Sequence, residues 1–262
     1  MFGNKEIGDR NCHLSRGGIC DSVRRAGGIG RRSGPYFYDT IRGASMIERD
    51  YIMRMINMMI AMLVRLAGYK NRKEYPEALL DIQTTGKTLL GIDRKLVDQF
   101  SVPQLMQLFG SDLSVAVPKS YVLGVLLKEE GEIHELMSDA TGAEDDYRKS
   151  LSLLIETYLS FGEPVEPRHL EFTEAILEKL SGRSLPPDIL ERIFRYEEAM
   201  GHYAKAENAL YAILETDTGF AGEGINFYER LLKKSDEQLS AGNLPRDEVL
   251  EGMNSLKQHQ RR

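Results

Sequence analysis

The sequence predicts an all-α fold made of antiparallel helical hairpins. Apolar residues recur at helical intervals through most of the chain after residue 45. Serine or threonine three residues before glutamate or glutamine begins several of these segments, and glycine or proline ends them. With 262 residues and 42% hydrophobic content, the chain can bury a sizeable core in one domain or two small ones.

The first helix is predicted over residues 46–67. Ser45 and Glu48 have the spacing of a capping box, which satisfies two orphan backbone N–H groups. The apolar arc that follows is wider than the stripe of a surface helix, so this helix is expected at the centre of the fold or at a dimer interface. Its methionines either fill the core or suit a surface that accepts varied partners. The candidate interface residues are Ile52, Met55, Met58, Met59 and Met62.

A second helix is predicted to run antiparallel to the first. Gly68 and residues 70–74 interrupt the apolar pattern. Pro76 then fits a first helical turn, where a missing N–H loses no hydrogen bond. The helical period resumes and continues to Leu89.

These two helices also carry a family resemblance. The segment MIERDYIMR at 46–54, a methionine-rich helix and the segment EYPEAL at 74–79 follow one another. Together they resemble the opening of an uncharacterised bacterial domain-of-unknown-function family. The resemblance extends from residue 46 to the C-terminus and implies a helical body, but no activity.

Further helices are expected at regular intervals. Ser101, Gln104 and Gly110 bracket a short helix at 102–109. Pro118 opens a long segment to about residue 139 with a bend at Gly131. The next helices are predicted from Thr141 to Phe161, from Pro167 to Leu180 and from Pro186 onward, and then over 225–242 and from Pro245.

One hairpin resembles a tetratricopeptide repeat. Its turn glycine, aromatic, alanine and following leucine are Gly201, Tyr203, Ala206 and Leu210. The match departs from the repeat because the chain has no tryptophan and because Glu197 stands where the repeat prefers an aromatic. The resemblance implies a tetratricopeptide-like, right-handed array of hairpins across residues 46–262, with one recognisable repeat near 187–215.

Residues 1–45 differ from this body. They contain nine of the 24 glycines and eight basic residues against four acidic ones, without a helical or strand period. They are predicted to be a disordered basic tail. The tail is either an arm for RNA or an acidic surface, a flexible end without such a role, or the result of a start assigned upstream of Met46.

Charge and composition restrict the function. Residues 46–262 hold 26 basic and 36 acidic residues, which argues against nucleic acid because phosphate binding depends on lysine and arginine. No apolar run is expected to approach a membrane span, since Asn57 and Arg65 interrupt the first helix. Both cysteines, Cys12 and Cys20, lie in the tail, so a reducing cytoplasm fits and no disulfide framework is indicated.

The search for chemistry yields no catalytic, cofactor or metal site. The sequence Gly86-Lys87-Thr88 lacks the earlier glycine and the strand of a phosphate-binding loop. The five histidines have no partner ligand at helical spacing. Glu129, Glu130 and Glu132 are expected on a solvated face, and Glu144, Asp145 and Asp146 near a helix start, where they favour the helix dipole. The histidines are His13, His134, His169, His202 and His259.

The sequence therefore favours a non-enzymatic scaffold that binds a protein or peptide, with a basic or mixed-charge partner. A second hypothesis is a homodimer through helix 46–67 with a purely structural array. A third is an enzyme or small-molecule sensor with a pocket between hairpins, where tyrosines and histidines converge.

Overall fold

A computed structural model describes residues 46–259, with side chains from residue 50 to residue 258. These residues are helical with no strand, which confirms the all-α prediction. The predicted tail 1–45, with Ser45 and both cysteines, lies outside the described residues. The helices are α1 Met46–Arg72, α2 Tyr75–Leu90, α3 Arg94–Gln99, α4 Val102–Leu108, α5 Leu113–Leu136, α6 Ala140–Phe161, α7 His169–Lys179, α8 Pro187–Met200, α9 Tyr203–Leu214, α10 Ala221–Leu231, α11 Asp236–Ala241 and α12 Arg246–His259.

The first hairpin forms as predicted, with a shifted boundary. Helix α1 continues through Gly68 to Arg72, because the turn is made by Lys73 with φ at 59°. Pro76 lies in the first turn of α2, and Gly91 ends that helix in the left-handed conformation. A glycine within a helix costs only about 1 kcal/mol, which tertiary packing readily offsets.

The hairpin of α5 and α6 occupies the centre of the fold. The carboxylate of Asp112 caps α5 by accepting the Ser114 N–H, so the helix begins before Pro118, where the sequence placed its start. A bend was predicted at Gly131 because glycine is a poor helix former. The helix instead continues through Gly131 without interruption. A Cβ at Gly131 would lie 2.8 Å from the Tyr147 ring of α6, so the glycine allows the two helices to approach closely.

Two parts of the helical pattern differ from the prediction. Helix α3 was not predicted; it is short, and the Asp93 carboxylate caps it by accepting the Leu96 N–H. The helix predicted over 225–242 is divided into α10 and α11. Ser235 and Gln238 form a capping box at the break, which restarts the helix.

Helix α1 buries one apolar stripe in the core of the fold. Four of the five candidate interface residues, Ile52, Met55, Met59 and Met62, are buried against the rest of the chain, whereas Met58 is 47% exposed. The wide apolar arc thus has neighbouring helices of the same chain on most of its width. Self-association through this helix stays a prediction, and it would have to use Met58 and its exposed neighbours, such as Val64.

The expectation about membrane spans is wrong for Asp50–Arg72. This part of α1 is long and apolar enough to cross a membrane, with a mean hydropathy of 1.3 despite Asn57 and Arg65. In its most apolar stretch, 33% is buried inside the protein. Core helices of soluble proteins pass the same test, so the finding is weak evidence for a membrane.

The helices α8 and α9 form the hairpin that resembles a tetratricopeptide repeat. Gly201 joins them with φ at 80°, a conformation that residues with a Cβ rarely adopt. Tyr203, Ala206 and Leu210 are buried.

The loop before α7 is organised by a buried histidine. Val165 N–H donates to Nδ1 of His169 (3.1 Å), and Nε2 lies 2.8 Å from the Leu154 carbonyl, which can only accept. The imidazole is therefore neutral, with its proton on Nε2. Burial lowers the pKa of His169 from 6.5 to about 4. The Tyr121 ring packs against the imidazole at 4.9 Å between centroids.

Truncating Tyr203 to alanine should lower the free energy of unfolding by about 3 kcal/mol, because a buried aromatic leaves a cavity. The same truncation at Tyr211, on the same helix but 41% exposed, should cost less than about 1 kcal/mol. Urea denaturation measures both. Equal effects at the two positions would show that Tyr203 does not anchor this hairpin.

Acidification should destabilise the protein through His169. Between pH 6.5 and about 4, the unfolded chain binds a proton at this imidazole that the folded chain does not. The free energy of unfolding should therefore fall by roughly 3 kcal/mol over that range. His169→Gln lacks this titration, so its pH dependence should be smaller by that amount in urea denaturation. Identical slopes for the two proteins would contradict the neutral assignment.

Candidate interaction groove

The sequence suggested that the acidic residues of α5 form a solvated face, and this prediction is wrong. Glu129 and Glu130 are 6% and 4% exposed. Lys70 of α1 lies 2.7 Å from Glu129 and 2.5 Å from Glu132, and Lys128 pairs with the same two carboxylates. Opposite charges from neighbouring elements therefore allow these carboxylates to be buried.

Arg94 is the cation at the centre of a second cluster. Its guanidinium pairs with Glu130 of α5, with Asp146 of α6 (2.5 Å) and with Asp98 of its own helix (2.7 Å). Nδ1 of His134 contacts the other oxygen of Asp146 at 2.8 Å. Burial raises the pKa of Glu130 and of Asp146, although the charge of Arg94 opposes the rise. Asp146, expected near a helix start, is instead a buried anion that joins three elements.

Arg94 also lies at the edge of an open groove. A cavity of about 590 Å³ is bounded by α3, the start of α4, α6 and the start of α8. A second cavity of about 350 Å³ between α6 and α8 shares Asp188 and Arg192 with the first. We call the two cavities together the α6–α8 groove. Its charged lining residues are Arg94, Asp98, Asp145, Arg148, Lys149, Glu156, Asp188, Glu191, Arg192 and Arg195.

Two arginines of this groove have incomplete hydrogen bonding. Arg148 donates from Nη2 to the Ser184 carbonyl (2.9 Å) and pairs with Glu144. Arg192 donates from Nη1 to Glu156 (2.6 Å). The Nε–H groups of both arginines are buried and have no partner among the described residues. A buried donor without an acceptor costs about 1–3 kcal/mol. These two Nε atoms have almost no accessible surface, so the cost belongs to the packing of the two arginines and offers no contact to the cavity.

Lys149 adds a third cation to the larger cavity. Its ammonium donates to the Val97 carbonyl and forms no ion pair within the described chain. Burial lowers the pKa of Lys149, because the charged form loses water. Together, the positive charges of Arg148, Lys149 and Arg192 favour carboxylate or carbonyl oxygens in the cavity.

Sequence reasoning missed these cations. Asp145, Arg148, Lys149 and Ser152 recur at helical spacing along α6 and therefore share one face of that helix. A polar stripe of this kind was visible in the sequence. Its counterpart Arg192 comes from another helix, so the groove itself required the tertiary structure.

Comparison with known proteins provides a family but no function. The family of unknown function DUF6483 matches residues 46–261. No curated protein and no solved structure matches the chain.

Replacing Arg94 with methionine should cost roughly 3–5 kcal/mol of unfolding free energy, because Glu130 and Asp146 would stay buried without their cation. Arg54→Met is the matched control, since the Arg54–Asp50 pair is exposed and its loss should cost less than about 0.5 kcal/mol. Both values come from urea denaturation.

The pH dependence of the Arg94 variant provides a second test. Without the arginine, the two carboxyls should bind protons more readily when folded than when unfolded. The stability deficit relative to wild type should therefore shrink as the pH falls from about 7 to about 5. A deficit that grows on acidification would contradict this account.

Proposed function

Since the chain belongs to the DUF6483 family, whose function is unknown, we propose its function from its geometry: it is a non-enzymatic scaffold that binds a segment of a partner protein. The binding surface is the α6–α8 groove. The observation that supports this function is the set of three cations, Arg148, Lys149 and Arg192, that line one open cavity between α6 and α8. In this proposal the helices form a tetratricopeptide-like, right-handed array whose concave side holds the partner.

The partner segment carries charges of both signs. Its carboxylates or backbone carbonyls accept from Arg148, Lys149 and Arg192 in the larger cavity. Its basic side chains face the acidic residues of the same groove, such as Asp188 and Glu191. The net charge of residues 46–262, with 36 acidic against 26 basic residues, also favours such basic groups by long-range attraction.

A small anionic ligand is the second candidate. The larger cavity, at about 590 Å³, falls in the volume range of small-molecule sites. The same three cations would then bind a carboxylate or phosphate group. The open, charged lining favours the protein segment, because small-molecule sites are mostly apolar and enclosed.

The test is selection of binding peptides from a random displayed library, with the full chain as bait. Wild type should enrich mixed-charge peptides whose affinity falls when salt rises from about 50 to about 500 mM. Arg192→Gln should weaken binding at least about tenfold. Arg192→Lys keeps the charge but lacks the planar guanidinium with its several donors, so its peptide affinity should fall between those of wild type and Arg192→Gln.

Arg65→Gln is the control outside the groove. Arg65 is partly exposed and pairs with Asp81, and its loss should leave peptide affinity within about twofold. Equal losses for Arg65→Gln and Arg192→Gln would refute the groove as the binding surface. If no peptide is enriched while a small anion raises the melting temperature of wild type but not of Arg192→Gln, the second candidate replaces the first.

A further inference from the structure

A second polar cluster joins α7, α8 and the turn that follows α8. Glu197, which stands where the repeat prefers an aromatic, is 3% exposed. Its Oε2 lies 2.7 Å from Nδ1 of His202. Glu174 of α7 completes the cluster, since one ligand atom from each residue lies within 4.8 Å of the other two. Glu197 and His202, five residues apart, and the more distant Glu174 thus place two carboxylate oxygens and one imidazole nitrogen within 4.8 Å of one another.

We propose that Glu174, Glu197 and His202 bind a divalent transition-metal ion, with zinc as the best match. Zinc accepts imidazole and carboxylate ligands at about 2.0–2.2 Å, and sites with three protein ligands leave a fourth position for water. Magnesium and calcium prefer sites made of oxygen alone, so the imidazole disfavours them. The residues of this cluster do not line the α6–α8 groove, and the inference is independent of the proposed function.

The charges of the cluster favour a cation. Lys205 is the neighbouring ammonium, at 3.6 Å from Glu174 and 4.0 Å from Glu197. Both distances exceed that of a hydrogen bond, so the lysine is a loose counterion. One ammonium against two carboxylates leaves a net negative charge on the cluster. One of these two carboxylates, that of Glu197, is buried. A divalent ion would neutralise the cluster and displace Lys205.

A fully buried tyrosine precedes Glu197 in the chain. The hydroxyl of Tyr196 has no hydrogen-bond partner by distance and angle among the described residues. Because the ligands come from three segments, the ion would also fasten the repeat-like hairpin to α7.

The test uses the full chain without an affinity tag, treated with chelator and titrated calorimetrically with zinc, magnesium or calcium chloride. Wild type should bind one zinc ion with a Kd below about 10 µM and neither of the other ions at that concentration. Glu174→Gln and His202→Gln should each weaken zinc binding at least about tenfold. Both side chains are partly exposed, so these variants should fold, which circular dichroism checks.

Two further variants separate a metal site from a structural ion-pair cluster. Lys205→Met should bind zinc several-fold more tightly, because it removes the competing ammonium. His134→Gln changes the other histidine–carboxylate pair, His134 with Asp146, and should leave zinc affinity unchanged. Absence of zinc binding by wild type at about 100 µM would overturn the proposal. Binding that survives in Glu174→Gln and His202→Gln, or that weakens in Lys205→Met, would do the same.

Discussion

The burial of carboxylates between α5 and α6 is the constraint on which the rest of the structure depends. Asp146 has a side chain with 0% exposure and Glu130 one with 5%. Two anions in one interior site require a cation with several donors in a fixed plane, which arginine provides. Arg94 meets this requirement, and it holds the short helix α3 against the central hairpin. Removal of one partner from such a cluster is far more costly than replacement of the whole cluster by apolar residues.

The position of α3 in turn determines the groove. Arg94 and Asp98 form one edge of the larger cavity, and α6 contributes its polar face opposite them. The same helix α6 therefore serves the core with one side and the groove with another. Most hydrogen-bonding capacity on the groove side is used within the protein, for example between Arg192 and Glu156. The Nε–H groups of Arg148 and Arg192 are exceptions, since they are buried without an acceptor among the described residues.

The repeat-like hairpin of α8 and α9 also buries a carboxylate among polar partners. Gly201 makes its turn with a positive φ, and Tyr203 and Leu210 are buried. Glu197 stands where the repeat prefers an aromatic residue, and it is buried beside the partly exposed His202 and Glu174. A polar group in an aromatic position is costly unless it has partners. His202, Glu174 and Lys205 surround Glu197 and provide the partners that make its burial possible.

The sequence by itself determined the features that depend on neighbouring residues. The all-α class, the first-turn proline of α2, the capping box at Ser101 and the left-handed turn at Gly201 all depend on local periodicity and backbone preference. The tertiary structure alone decided the burial of Glu129, Glu130 and Asp146, the continuation of α5 through Gly131 and the placement of Arg148 and Arg192 along one groove. Each of these depends on a partner from a distant element. Helical periodicity identifies which residues share a face, but not which charge from another helix lies opposite.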